Sequence, residues 1–285
     1  MNNIKKCFVM LAALAIMVFS VPVIAFAATS VPTIPADTVY SGNGITIETK
    51  KFEYNKSWGG YYAVDATITN NSAVDVYYEV EYVKVNGFQI PTLTFGDVYS
   101  GMTADVEISM DPDNLKLANI EHIMEIEFCI RLSESDNNRN VIDTPIVVIA
   151  TSDADKYEQS YDFNGQEVYN AGGIRILARL GESNEKFPML LFVENNSGKT
   201  LSFTYDNVAI NNKMVIEMMS GGQVISPAIQ VVETNRTLLT MWNDDVPQNK
   251  DISVIDFKLS FMPIESDGSF STGNMYSSGR ITLSR

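Results

Sequence analysis

Histidine and cysteine are almost missing from this chain, and basic residues are few. Among 285 residues there are one histidine and two cysteines, and 20 Lys and Arg stand against 35 Asp and Glu. Any His-dependent triad or dyad would have to use His122, and no Gly-x-Ser-x-Gly nucleophile turn accompanies it. Zinc sites built from His and Cys clusters are excluded for want of ligands. The formal charge of −15 repels the phosphates of nucleic acid and argues against simple adsorption to anionic lipid. A non-enzymatic protein without a cofactor is expected. A secreted hydrolase working through paired carboxylates is the remaining catalytic alternative, although no acidic pair stands in a recognisable context.

What is present begins with an export signal. Lys5 and Lys6 precede an uncharged stretch from Phe8 to Ala27, Pro22 interrupts it, and Ala25-Phe26-Ala27 supplies the small-x-small pattern of signal peptidase. The expected product is secreted or held at the cell surface. The alternative is an uncleaved anchor, since about 20 apolar residues can span a bilayer. Only in that case is membrane a partner. Cleavage after Ala27 removes two lysines and no acid, which takes the net charge from −15 to about −17. It also leaves Cys129 as the single cysteine. Export without paired cysteines points to a bacterial exoprotein of Gram-positive type. With no sortase-type motif or C-terminal apolar tail, surface attachment is expected to be non-covalent.

The chain then repeats itself. A shift of 125 positions lays residues 66–90 on 191–215, matching Asn70-Asn71-Ser72, Val83 and Asn86 to Asn195-Asn196-Ser197, Val208 and Asn211. A shift of 129 matches "GITIE" at Gly44 to "GIRIL" at Gly173, and "IEFCIRL" at Ile126 to "IDFKLSF" at Ile255. Within each copy the period is two: Val76, Tyr78 and Val80 alternate with Tyr77, Glu79 and Glu81. A change of phase at Val83 and Val85 predicts a bulge. Strands are expected near 44–49, 60–69, 74–85, 88–95, 102–110, 123–132 and 143–150, with a second set over 173–284. Asp111-Pro112 offers a cap and first-turn proline for one short helix.

The fold class that follows is all-β, two tandem immunoglobulin-like antiparallel β-sandwiches after a signal peptide. The expected boundaries are 1–27 signal peptide, 28–43 extended leader, 44–151 first module, 152–156 linker and 157–285 second module. Asn164-Gly165 is expected to turn an opening hairpin between 157–163 and 166–169. The two Asn-Asn-Ser triplets fit the N-glycosylation pattern, as do Asn55-Lys56-Ser57 and Asn235-Arg236-Thr237. Their shared place between two strands reads instead as a turn.

The segment Tyr157 to Ile176, "YEQSYDFNGQEVYNAGGIRI", the run Val193 to Lys199, "VENNSGK", and Asn207 to Asn211 resemble uncharacterised secreted or cell-surface proteins of gut-type Firmicutes. The resemblance covers most of both modules. It implies tandem immunoglobulin-like sandwiches outside the cell, and it carries no activity or functional residues.

Candidate binding residues are aromatic. "EYNKSWGGYY", from Glu53 to Tyr62, places Trp58, Tyr61 and Tyr62 around a Gly-Gly turn in a loop longer than its counterpart "GESNEKFP". Rings on a loop stack on sugars or anchor proteins, so a protein or glycan at the cell surface is the expected partner. The structural alternative packs Tyr54 and one of Tyr61 or Tyr62 into the sandwich and uses Trp58 to cover its end. Asp153, Asp155 and Glu158 could place calcium at the module junction, and Asp111, Asp113 and Asn114 form a second oxygen cluster. Neither has the spaced loop of a dedicated site, and no metal is expected. Cys129 is expected on the face opposite Phe128 and Ile130, partly exposed, with nothing to lower its pKa.

Overall fold

The computed structural model describes residues 31–135, 140–183, 185, 187–214, 229–231, 235–241, 248–264 and 275–285. Ala25 and Ala27 lie outside the described residues. The first sandwich contains β1 (Asp37–Gly42), β2 (Ile45–Asn55), β3 (Tyr61–Asn70), β4 (Val76–Val85), β5 (Phe88–Ile90) and β6 (Phe95–Val98). It continues with β7 (Met102–Met110), helix α1 (Pro112–Leu117), β8 (Glu125–Glu134), β9 (Ile142–Asp143) and β10 (Val147–Ala150). The second contains β11 (Gln166–Ala171), β12 (Ile174–Leu180), β13 (Met189–Asn195), β14 (Thr200–Ile210) and β15 (Lys213–Met214). After these come β16 (Ile229–Val231), β17 (Asn235–Met241), β18 (Val254–Ile264), β19 (Tyr276–Ser277) and β20 (Ile281–Ser284).

These strands form three sheets, and the middle one runs through both sandwiches. Strands β1-β2-β3-β7 make the first sheet. The second has ten strands, in the order β10-β8-β4-β5-β17-β13-β12-β11, with β6 added to β4 and β9 to β8. The third is β15-β14-β18-β19, with β16 on β14 and β20 on β18. The protein is therefore all-β, as its alternation requires, with each sandwich an antiparallel immunoglobulin-like pair of sheets. Strand pairings correspond between the two: Val85 faces Ile126 where Ile210 faces Ile255, and Asn70 faces Met102 where Asn195 faces Asn235.

Local chemistry explains where the strands stop. The bulge falls between Val80 and Tyr82, which lets both Val80 and Val83 reach the core. Pro91 divides the stretch expected as one strand over 88–95 into β5 and β6, and Pro145 separates β9 from β10, because proline donates no ladder hydrogen bond. Asp111 caps α1, its carboxylate accepting from the Asp113 amide at 2.8 Å. Two expectations are corrected. The leader contains β1, which pairs with β2 from Asp37 to Gly42. No strand covers 157–163; β11 pairs instead with β12 around Gly172-Gly173, where both glycines take φ of +61° and +80°.

The Asn-Asn-Ser triplets are closed turns. Asn70 is wholly buried. Its amide group donates to the Val74 and Val98 carbonyls, each at 2.8 Å, and its oxygen accepts from the Ser72 amide at 2.9 Å and hydroxyl at 2.6 Å. Asn195, also buried, donates to Lys199 O at 2.7 Å and accepts from the same two groups of Ser197. The next amide donates to Gly44 O in one copy and Gly173 O in the other, both at 2.7 Å. An acceptor nitrogen tied down in this way cannot carry a sugar in the folded protein.

Where the sandwiches meet, β5 pairs in parallel with β17, Phe88 beside Arg236 and Gln89 beside Thr237. Phe88 is buried, with the rings of Tyr161 and Phe192 at 5.5 and 5.9 Å. Successive strand residues face opposite ways. Hence Ile176, Leu191 and Val193 enter the second core while Leu177 and Phe192 join the first. The two sandwiches use opposite faces of one sheet. Residues 157–163 cross this joint: Tyr161 Oη donates to Asn86 O at 2.9 Å, Arg236 lies 4.1 Å over the Tyr161 ring, and Phe163 stacks on Phe192 at 5.3 Å.

Replacing Asn70 by Ala removes four hydrogen bonds and is expected to cost about 2–4 kcal/mol, measured by urea unfolding; an Asn71→Ala control should change little. Phe88→Ala is expected to cost about 3–5 kcal/mol and to loosen the joint, read as a broader distance distribution between spin labels on the two sandwiches.

Candidate functional site

Alternation along β2, β3 and β7 sorts the aromatic loop into two faces. Tyr62 points inward with Val64, Ala66 and Ile68 and packs on the first core. Its ring stacks on Phe52 at 5.7 Å and meets Tyr54 at 5.0 Å. Tyr61 points outward. Its hydroxyl donates to the Glu107 carboxylate and accepts from Asn55 Nδ2 at 2.8 Å. That bond to Glu107, followed by burial, holds the phenol above its ordinary pKa. Trp58 sits in the short 3-10 turn Ser57–Gly59, and its side chain lies outside what is described. The three candidates are thus neighbours in sequence, but Tyr62 belongs to the packing and Tyr61 to the surface.

Tyr61 borders a groove of about 1240 Å³. One wall is the outer face of β2, β3 and β7, with Lys50, Lys51, Asp65, Asp105 and Glu107; the other is the segment Pro91 to Phe95. Lys50 bonds Asp105 at 2.6 Å and Lys51 bonds Asp65 at 3.2 Å. The Lys50 ammonium holds the Asp105 carboxyl below its usual range, and the Glu53 and Asp65 carboxylates raise Lys51. Across the groove Leu93 is 82% exposed and Phe95 53%. Between the walls, Thr92 Oγ1 donates to Ser109 O and Thr94 Oγ1 to Glu107 O, each at 3.1 Å.

Leu93, Phe95, Asp105 and Glu107 were not among the sequence candidates. A signal existed in "PTLTFG", where a proline-started run alternates two threonines with two large apolar residues. Nothing in the sequence told which of them would face water.

The remaining chemical candidates have structural partners. His122 stacks on Tyr157 at 3.4 Å, and its carbonyl accepts from Asn86 Nδ2 at 2.7 Å. The Asp153 carboxylate takes an ion pair from Lys156 at 3.0 Å. Among the described residues no group of three His, Cys, Asp or Glu is placed to hold a metal ion, and no helix is long and apolar enough to cross a membrane. Cys129 corrects an expectation. It is buried, because residue Thr144 crosses over it and accepts from its Sγ at 3.3 Å. Burial, with help from Glu81 and Asp143, pushes the thiol up to about 11.

No family model matches the chain, and no curated protein matches it. A solved structure of the Salmonella enterica SafA pilin in complex with the SafB chaperone is similar at 15% identity, over 78% of this chain and 89% of that chain. The TM-score is 0.23, and a superposition that loose assigns neither partner nor activity.

The folded protein is expected to resist iodoacetamide at pH 8 and to react once unfolded in urea, measured by mass spectrometry. The folded thiol titrates above its unfolded counterpart, near 8.5. Its contribution to stability is therefore full below about pH 8.5 and is lost as pH rises through about 11.

Proposed function

We propose that this chain is an exported, non-enzymatic bacterial binding protein, built by duplication of one sandwich and working outside the cell. The signal-like segment ending at Ala25-Phe26-Ala27 and the charge of −15 support export and solubility. The likeness of "YEQSYDFNGQEVY" and "VENNSGK" to surface proteins of Firmicutes supports the setting. The observation that carries the reading is an asymmetry between the two copies. The outer face of β12 and β13 is taken up by the joint, where Leu177 and Phe192 are buried. The matching face of β2 and β3 is polar and opens into the groove beside Tyr61. A scaffold with one face consumed and its equivalent open presents that open face to a partner.

A glycan reading is second, favoured by one observation: Tyr61 is fixed outward by Glu107 beside Asp65 and Asp105, a ring next to carboxylates that can accept sugar hydroxyls.

A photo-crosslinking residue at Leu93, in protein returned to the producing culture, is expected to give adducts with a surface component, whereas one at Lys258 should not. Absence of adducts at Leu93 overturns the binding reading. On a glycan array, binding that falls at least ten-fold in Tyr61→Ala or Trp58→Ala moves the glycan reading to first place, and a blank array removes it.

A further inference from the structure

The groove runs along an open strand edge. Among the described residues β7 is the last strand of its sheet, and β6 pairs on one side alone, with β4. The Glu107 and Ser109 carbonyls point away from β3, since they accept the Thr94 and Thr92 hydroxyls. Backbone direction alternates along a strand, so Thr103 and Asp105 send their N–H and C=O groups the same way. Among the described residues no threonine hydroxyl caps those two.

The second sandwich shows what such a position accepts. Asn70 faces Met102 as Asn195 faces Asn235, so Thr103 has Arg236 as its counterpart. The Arg236 amide donates to Gly87 O at 3.3 Å, and Arg236 pairs in parallel with Phe88. A strand therefore fills in one copy the edge that stands open in the other.

Charge selects the occupant. Asp65, Asp105, Glu107, Asp111 and Asp113 line the groove against Lys50 and Lys51, and both lysines are already bound to acids. A second copy of this chain, at −15, is repelled. The residue matching Phe88, moreover, is Lys213, which cannot rebuild the aromatic joint. We propose that the β7 edge takes an extended cationic peptide segment as an added parallel strand. Its amides pair with Thr103 and Asp105, and its Lys or Arg residues meet the carboxylates beside that stretch, Asp105 and Glu107. Strand addition draws affinity from main-chain hydrogen bonds and specificity from alternate side chains. The proposal rests on the first sandwich being the binding unit.

Calorimetry with an octapeptide of alternating Lys and Val tests it, beside a Glu-Val octapeptide and a Lys-Val peptide N-methylated at alternate amides. The Lys-Val peptide is expected to bind and to slow hydrogen exchange at Thr103 and Asp105. N-methylation, and separately Thr103→Pro, should each weaken it ten-fold or more, and the Glu-Val peptide should not bind. Proline suits an edge position whose N–H faces outward; should the variant misfold, the N-methylated peptide carries the same test on unaltered protein. Equal binding of the methylated peptide, equal binding of the Glu-Val peptide, or no binding of the Lys-Val peptide overturns the strand proposal. If adducts at Leu93 persist after such a failure, the binding reading survives it; if they are also absent, both fall.

Discussion

The two residue pairs that join β5 to β17 decide most of this architecture. A sandwich of two open sheets has four sheet edges to protect and two outer faces to keep wet. Pairing β5 with β17 removes an edge from each sandwich and merges two sheets into one of ten strands. Because the period of a strand is two and Phe88 pairs with Arg236, the merged sheet offers its first core on one face and its second core on the other. Leu177 and Phe192 then find themselves on the first sandwich's side, and the chain supplies Phe163, Tyr161 and Phe88 to cover them. The crossing segment follows from the pairing, since those apolar groups would otherwise face water.

Asn86 ties this joint to the turn that precedes it. With φ of +49° it enters the left-handed region that asparagine tolerates. Its side chain donates to His122 O and Gln159 Oε1 and accepts from the Met124 and Glu125 amides. Asn211 makes the matching turn and accepts from the Ser253 and Val254 amides. What differs is the outer partner, Gln159 and Tyr161 at Asn86. The same turn is thus a plain hairpin end in one copy and a hinge pin in the other. Buried polar groups that are fully paired in this way fix one geometry.

Local features of the fold were legible, and contacts between distant segments were not. Alternation located most strands, the change of phase at Val83 located a bulge, and Asp111-Pro112 located the helix. Each depends on neighbours within a few residues. The joint depends on Phe88 meeting Arg236, far apart in sequence, and nothing in "NGFQI" announces a parallel partner. For the same reason 157–163 read as half of a hairpin around Asn164-Gly165, when its tyrosines pack against the previous sandwich. Alternation gives the face of Cys129 but not its environment, because its cover is Thr144, in the link between β9 and β10. The candidate site was half legible. Alternation alone separates Tyr61 from Tyr62, but Leu93 and Phe95 become a wall only once β6 and β7 stand side by side.

The joint also accounts for the composition of the face left open. Positions matching Leu177, Leu190 and Phe192 are Glu48, Asp65 and Thr67, and the position matching Arg236 is Thr103. In a stacked array an end unit needs a polar outer face, because no neighbour covers it. Those four exchanges convert a docking face into a wet one. They do not close the backbone edge, since side-chain identity leaves the outward N–H and C=O groups in place. Thr92 and Thr94 cap the far half of that edge through Ser109 and Glu107, and among the described residues the half beginning at Thr103 has no such cap and is flanked by acidic side chains. Acidic side chains repel the chain's own acidic copies while leaving the edge open to a cation. An edge protected by sign rather than by cover turns away like-charged chains, which is one of the ways a sheet edge avoids aggregation.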